Sequence, residues 1–110
     1  MIATTPEPPY YAVIFTSTKT TTEEGYNEMA DKMIALAAKQ EGFLGVEAAR
    51  NEIGITVSYW KDIASIKNWK EVSEHKIAQE KGKTTWYESF KTRIAKVERD
   101  YEFYKTKTNN

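Results

Sequence analysis

The sequence predicts an α+β domain in which a four-stranded antiparallel sheet carries its helices on one face. Three observations predict it. Short segments rich in β-branched and aromatic residues recur at 10–17, 43–50, 55–60 and from 93 onward. A stripe of helical period separates the first from the second, and a helical arm separates the third from the fourth. Strands one and three carry apolar side chains on both of their alternating faces, more than two helical segments can cover.

Residues 1–9 hold Pro6, Pro8 and Pro9 and no apolar periodicity, which predicts an extended arm outside the core. Strand one is YYAVIFTS, residues 10–17. Thr20 to Thr22 precede Glu23 and Glu24, so Thr20 or Thr21 is expected to cap a helix with a glutamate three positions on. Tyr26, Met29, Ala30, Met33, Ile34 and Ala37 then share one helical face. Gly42 stands where a left-handed helix end is expected, followed by a strand from Phe43 to Arg50.

The turn Asn51 to Gly54 leads into ITVSYW, residues 55–60, as a hairpin. Asp62 is placed to cap a short helix carrying Ile63, Ile66 and Trp69 on one side. A second short helix, Val72 to Lys81, is expected to stop at Gly82. Residues 83–90 read as an aromatic connector. From Arg93, Ala95, Val97, Tyr101 and Phe103 alternate with charged residues, which predicts a fourth strand broken on its dry face by Arg99. The domain is expected over 10–104, with 105–110 as a frayed tail.

Composition narrows the function classes. At 110 residues the chain has room for one domain. Sixteen basic residues balance sixteen acidic ones, so there is no strong field to attract nucleic acid or an anionic membrane. With no cysteine and one histidine, thiolate metal sites and cysteine nucleophiles are excluded. No apolar run is long enough to span a bilayer and the N-terminus lacks the features of a signal peptide, so a cytoplasmic protein is expected.

The element order is βαββαβ, the ferredoxin-like arrangement. Its second sheet face needs a cover, because Tyr10, Ala12 and Ile14 alternate with Tyr11, Val13 and Phe15, and Trp60 alternates with Tyr59. A second copy of the chain is the simplest source, burying about 2 kcal/mol per large apolar side chain. An obligate homodimer is therefore expected.

The segments YYAVIFTS, EGFLGVEAAR, GITVSYWKDIASIKNWK, EHKIAQEKG and WYESFKTRIAKVERDYEF together resemble the antibiotic biosynthesis monooxygenase superfamily, and in particular its small bacterial branch. The resemblance spans Tyr10 to Phe103. It implies a dimeric α/β barrel with a pocket between sheet and helices in each subunit. It further implies three possible activities: oxygenation of an aromatic or quinol substrate without a cofactor, heme binding or degradation, or binding of a small molecule without catalysis. Heme degradation of the well-known type pairs histidine and tryptophan with an asparagine on the first strand. Residues 10–17 contain no asparagine, and Trp69 to His75 is a shorter spacing than that pattern.

His75 is the one side chain whose ordinary pKa lies near neutrality, which makes it the candidate general base. A histidine in the charged run EHKIAQEK can equally pack locally. Trp60, Trp69, Trp86 and Tyr87, with Phe15 and Tyr26, are the candidate walls for a flat aromatic ligand, or else the filling of a small core. Arg99 can pair across a dimer seam or meet a ligand anion. No metal site is expected; no cofactor is expected other than heme as an alternative.

Overall fold

The computed structural model describes residues 1–79 and 83–105. The elements are β1 (Tyr10–Lys19), α1 (Tyr26–Ala38), β2 (Phe43–Arg50), β3 (Gly54–Trp60), α2 (Ile63–Gln79), the single turn α3 (Lys83–Trp86) and β4 (Tyr87–Val97). The strands form one antiparallel sheet in the order β2-β3-β1-β4. This is the expected βαββαβ ferredoxin-like arrangement.

Pairing fixes which side chains share a face. Tyr11 lies opposite Trp60, Val13 opposite Ser58 and Phe15 opposite Thr56, and these face the helices. Ala12, Ile14 and Thr16 lie opposite Tyr59, Val57 and Ile55 on the outer face. The register of β2 shifts at Leu44, which keeps Phe43 on the helix side and sends Gly45 and Glu47 outward. The core lies on the helix side. Ala37 from α1, Trp60 from β3 and Ile66 from α2 are buried there, with Tyr11, Val13, Phe43 and Trp69 packed around them.

Helix α1 buries Met29 and Ala37 from the predicted stripe. It starts later than expected. Gly25, in the left-handed conformation at φ 79°, precedes Tyr26, and no side chain caps the helix. Thr20 is engaged elsewhere: its N–H donates to Trp86 O at 2.9 Å and its hydroxyl to Thr85 O at 2.6 Å. At the start of α2, by contrast, the Asp62 carboxylate accepts the Ser65 N–H at 2.8 Å, as the sequence predicts. Gly42 has φ 87°, and a side chain there would meet Ser65 of α2.

Three boundaries differ from expectation. The two short helices after Asp62 are one continuous α2 through Gln79, and Gly82 lies outside the described residues. Strand β4 begins at Tyr87, inside the segment read as a connector, because Tyr87 already pairs with Lys19. It ends at Val97, not at Phe103, because Val97 pairs with Tyr10 and β1 offers no backbone beyond. Arg99 is therefore not on a strand; it lies exposed in the segment that follows. Of the expected C-terminal tail, residues 106–110 lie outside the described residues.

The proline-bearing arm, residues 1–9, forms neither helix nor strand, and it is tied to the outer face. The Ala3 N–H donates to Glu47 Oε2 at 2.9 Å, the Tyr59 hydroxyl donates to Glu47 Oε1 at 2.7 Å, and Thr5 donates to the Tyr10 hydroxyl at 3.0 Å. Tyr10 in turn donates to Asp100, just past β4. The bonds from Tyr59 and Ala3 hold the Glu47 carboxyl below the usual carboxylate range, while burial and the neighbouring carboxylate push the Tyr59 phenol up. The arm thus covers one end of the outer face and leaves the other bare.

Candidate functional site: an aromatic trough beside Arg50

The structure divides the aromatic residues of the helix side into two groups. In the first, Trp60 stacks on Trp69 at 5.8 Å between ring centres and meets Phe43 edge-on at 5.5 Å. Trp60 is 0% exposed, and its indole N–H donates to Ser58 at 2.8 Å. This group is closed.

The second group lies toward the other end of the sheet. Phe15 on β1 is 5.4 Å from Tyr87 and 5.3 Å from Phe90 on β4, and Tyr26 at the start of α1 meets Tyr87 edge-on at 6.0 Å. Burial, and then the neighbouring Tyr26 phenol, push the Tyr87 phenol well above its ordinary pKa, so Tyr87 stays protonated. Phe90 is 43% exposed and Ile94 54%. Thr92 and Lys96, which share the helix side of β4, are exposed as well. The group therefore forms a trough with an apolar floor and an open flank along β4.

Tyr87 reaches this side only because the β1–β4 register shifts between Thr18 and Lys19, passing over Glu88. Strict alternation from Phe90 would have sent Tyr87 to the outer face.

Arg50 stands at the rim. It closes β2 opposite Gly54, and its guanidinium crosses over that glycine to donate to the buried hydroxyl of Ser17 on β1. A side chain on Gly54 would occupy the space of that guanidinium. Arg50 lies 5.6 Å from the centre of the Tyr26 ring, and the Lys19 ammonium, paired with Glu23 at 2.9 Å, lies 4.2 Å from the same ring. Two cations thus border an apolar floor with the protonated Tyr87 phenol beside it, which suits a flat molecule carrying an anionic oxygen. Sequence reasoning passed over Arg50 and Lys19, and it assigned no role to Ser17, a hydroxyl of a kind common on strands. A signal was present: Arg50 and Gly54 flank the hairpin turn symmetrically, a long side chain facing a space kept empty.

The other predicted residues are placed as follows. Trp86 is 7% exposed, with its N–H donated to Glu24 O at 2.8 Å and its ring against Gly25. It fastens the start of α1 to the start of β4 and borders an open cleft of about 420 Å³ with Glu28, Met29 and Lys32. His75 is exposed, in the second half of α2. Since the chain leaves the sheet beside Tyr11 and returns beside Lys19, α2 runs along the sheet toward the trough end. The structure thus brings Phe15, Tyr26 and Tyr87 together and sets Trp60 and Trp69 apart from them. Among the described residues no group of three or more His, Asp or Glu side chains is arranged to hold a metal ion.

Comparison with known proteins places this geometry in a class. Residues 9–81 match the antibiotic biosynthesis monooxygenase family, and the chain belongs to it. It is 52% identical over 104 residues to the uncharacterised protein YqjZ of Bacillus subtilis strain 168, covering 93% of this chain and 91% of that one. Its fold is similar to that of SnoaB, a cofactor-independent oxygenase from Streptomyces nogalater, with a TM-score of 0.69 at 9% identity over 83% of this chain and 95% of that one. It is also similar to PA3566 of Pseudomonas aeruginosa, with a TM-score of 0.66 at 16% identity over 87% of this chain and 99% of that one. At such identities the likeness to the two solved structures is one of fold.

Proposed function

We propose that this chain is a cofactor-independent monooxygenase of a small aromatic or quinol-like molecule and that it works as a homodimer. The observation that carries the reading is the open trough of Phe15, Tyr26, Tyr87 and Phe90 with the Arg50 guanidinium at its rim. Family membership and the described activity of SnoaB support it. Trp60 and Trp69 back the trough as rigid packing, and Trp86 holds the α1 end of its wall.

The chemistry needs an electron-rich substrate and a base. His75 takes the acidic proton of the bound molecule, and Arg50 stabilises the anion left behind. The anion gives one electron to dioxygen, and the resulting radical and superoxide combine into a carbon-bound peroxide. Protonation and loss of water across the C–O–O unit leave a carbonyl on the ring, with the second oxygen atom in the water. Substrate and dioxygen together thus account for every atom and electron.

The dimer follows from the bare half of the outer face. Ile55 is 44% exposed there, alongside Ile14, Val57, Ala49 and Ala95 on the same face. Oxygen uptake with a panel of quinols tests the enzymatic reading. His75→Ala is expected to lower the rate at least tenfold; equal rates in variant and parent remove His75 from the mechanism, and no uptake with any quinol removes the activity.

A further inference from the structure

At the trough end of the sheet one row of residues crosses all four strands. Arg50 on β2 lies opposite Gly54 on β3, Gly54 opposite Ser17 on β1, and Ser17 opposite Phe90 on β4. Their side chains share the helix side, so the row holds a cation, a gap, a hydroxyl and an exposed ring. The backbone does not require the gap. Gly54 is buried in its strand and its φ lies outside the left-handed region, so other residues could adopt the same conformation. Glycine inside a strand weakens it, and where conformation does not call for it, it marks a place kept clear for a close approach. The Arg50 guanidinium makes that approach: its Cζ, Nε and Nη2 fill the space of the missing Cβ, and Nη2 donates to Ser17. The two cations of the rim also differ. Lys19 is paired with Glu23 at 2.9 Å, whereas Arg50, among the described residues, forms no salt bridge.

We propose that Gly54 and Ser17 are positioning residues: they fix the Arg50 guanidinium one strand away from Phe90 and so make the trough selective for an aryl oxyanion whose charge sits close to the ring. The inference rests on the trough being the ligand site, as proposed above, and adds what decides which ligands it accepts. The argument is one of reach. Arg50 is exposed, and a long exposed arginine left to itself samples many rotamers. The gap at Gly54 lets it lie flat across β3, and the Ser17 hydroxyl holds its far end over β1. What separates that end from β4 is then a single strand spacing, about 4.8 Å. A ring laid against the exposed part of Phe90 brings an oxygen borne directly on it, or one atom away, within a charge-assisted hydrogen bond of about 2.8 Å. A carboxylate on a longer arm overshoots the guanidinium toward β3, where Gly54 has no side chain to donate. With one N–H given to Ser17, the remaining guanidinium N–H groups are left for the ligand.

Calorimetric titration with three probes tests this: naphthoate, its neutral isostere naphthamide, and naphthylpropionate, which carries the same charge on a longer arm. The parent is expected to bind naphthoate at least about tenfold more tightly than either of the others. Gly54→Ala puts a methyl group where the guanidinium lies. It should bring the naphthoate-to-naphthamide ratio to within about twofold and leave naphthamide binding unchanged, since the ring floor is untouched. Ser17→Ala keeps the passage and removes the anchor, so the advantage of naphthoate over naphthylpropionate should vanish while an advantage over naphthamide persists. In an Arg50→Ala background neither substitution should change any ratio, an outcome that a merely structural role for Gly54 or Ser17 does not produce. Should Gly54→Ala fail to fold, Ser17→Ala carries the test. Equal affinity of the parent for naphthoate and naphthamide overturns the inference, as do ratios unchanged in the folded variants, or a parent that binds none of the probes. Oxygen uptake is read separately. Quinol turnover without this selectivity overturns the inference and leaves the proposed activity standing; selectivity without turnover of any quinol does the reverse.

Discussion

The two aromatic groups between sheet and helices are built from similar side chains and have different fates. Around Trp60 the rings are stacked, the indole N–H is satisfied by Ser58, and nothing of the side chain reaches solvent. Around Phe15 the rings meet edge-on or at a tilt, Phe90 is partly exposed, and two cations stand at the border. The difference lies in what sits above each. Ile66 and Ala37 close the first group from both helices, whereas the flank of the second along β4 is open. Aromatic content therefore marks a binding surface only where the packing above it is incomplete.

Substitutions can break or sharpen this contrast. Trp60→Ala empties the closed group and is expected to cost about 3–5 kcal/mol in denaturant unfolding. A loss near 1 kcal/mol would mean that this group is not the core. Arg50→Ala is expected to reduce kcat/KM for quinol oxygenation at least tenfold while costing only about 1 kcal/mol, the price of leaving the buried Ser17 hydroxyl without its partner. If stability falls and turnover does not, the trough is packing like its neighbour. Tyr87→Phe removes a largely buried hydroxyl but keeps the ring contacts with Phe15 and Tyr26, and about 0.5–1.5 kcal/mol is expected in the same unfolding assay.

A control lies on the outer face, away from both groups. The lowered pKa of Glu47 means that its bonds to Tyr59 and Ala3 stabilise the fold above the unfolded carboxylate value, and that this contribution fades as pH falls through the lower folded value. The protection of the Ala3 N–H, its exchange rate compared with that of an unstructured amide at the same pH, is therefore expected to fall as the pH drops below about 4. Glu47→Gln should flatten that dependence and leave the quinol reaction unchanged.

Much of this organisation was legible in the residues. The stripe from Tyr26 to Ala37, the Asp62 cap and the Asn51 turn are local patterns, and local patterns determine local structure. The ends of β4 were not legible, because they depend on where β1 begins and ends, and Tyr10 and Lys19, which pair with Val97 and Tyr87, are distant in sequence. The expected cap at Thr20 failed for the same reason: Thr85 and Trp86, distant in sequence, claim its hydroxyl and N–H. Phe15, Tyr26 and Tyr87 were found by residue type, but their separation from Trp60 and Trp69 depends on which helix residues cover each group. Arg50 escaped notice because its role needs Gly54 and Ser17 together, and no linear spacing joins β2 to β1.

The register shift at Glu88 has a consequence for how this strand can vary. From Ser89 to Val97, odd positions look outward and even positions look toward the helices, yet odd-numbered Tyr87 looks toward the helices. The parity rule is thus reset within one strand. A change of length by a single residue between Trp86 and Ser89 would exchange a phenol beneath the helices for one on the opposite surface, with every other pairing of the sheet preserved. Ligand preference could in this way drift through insertions and deletions that leave the scaffold untouched.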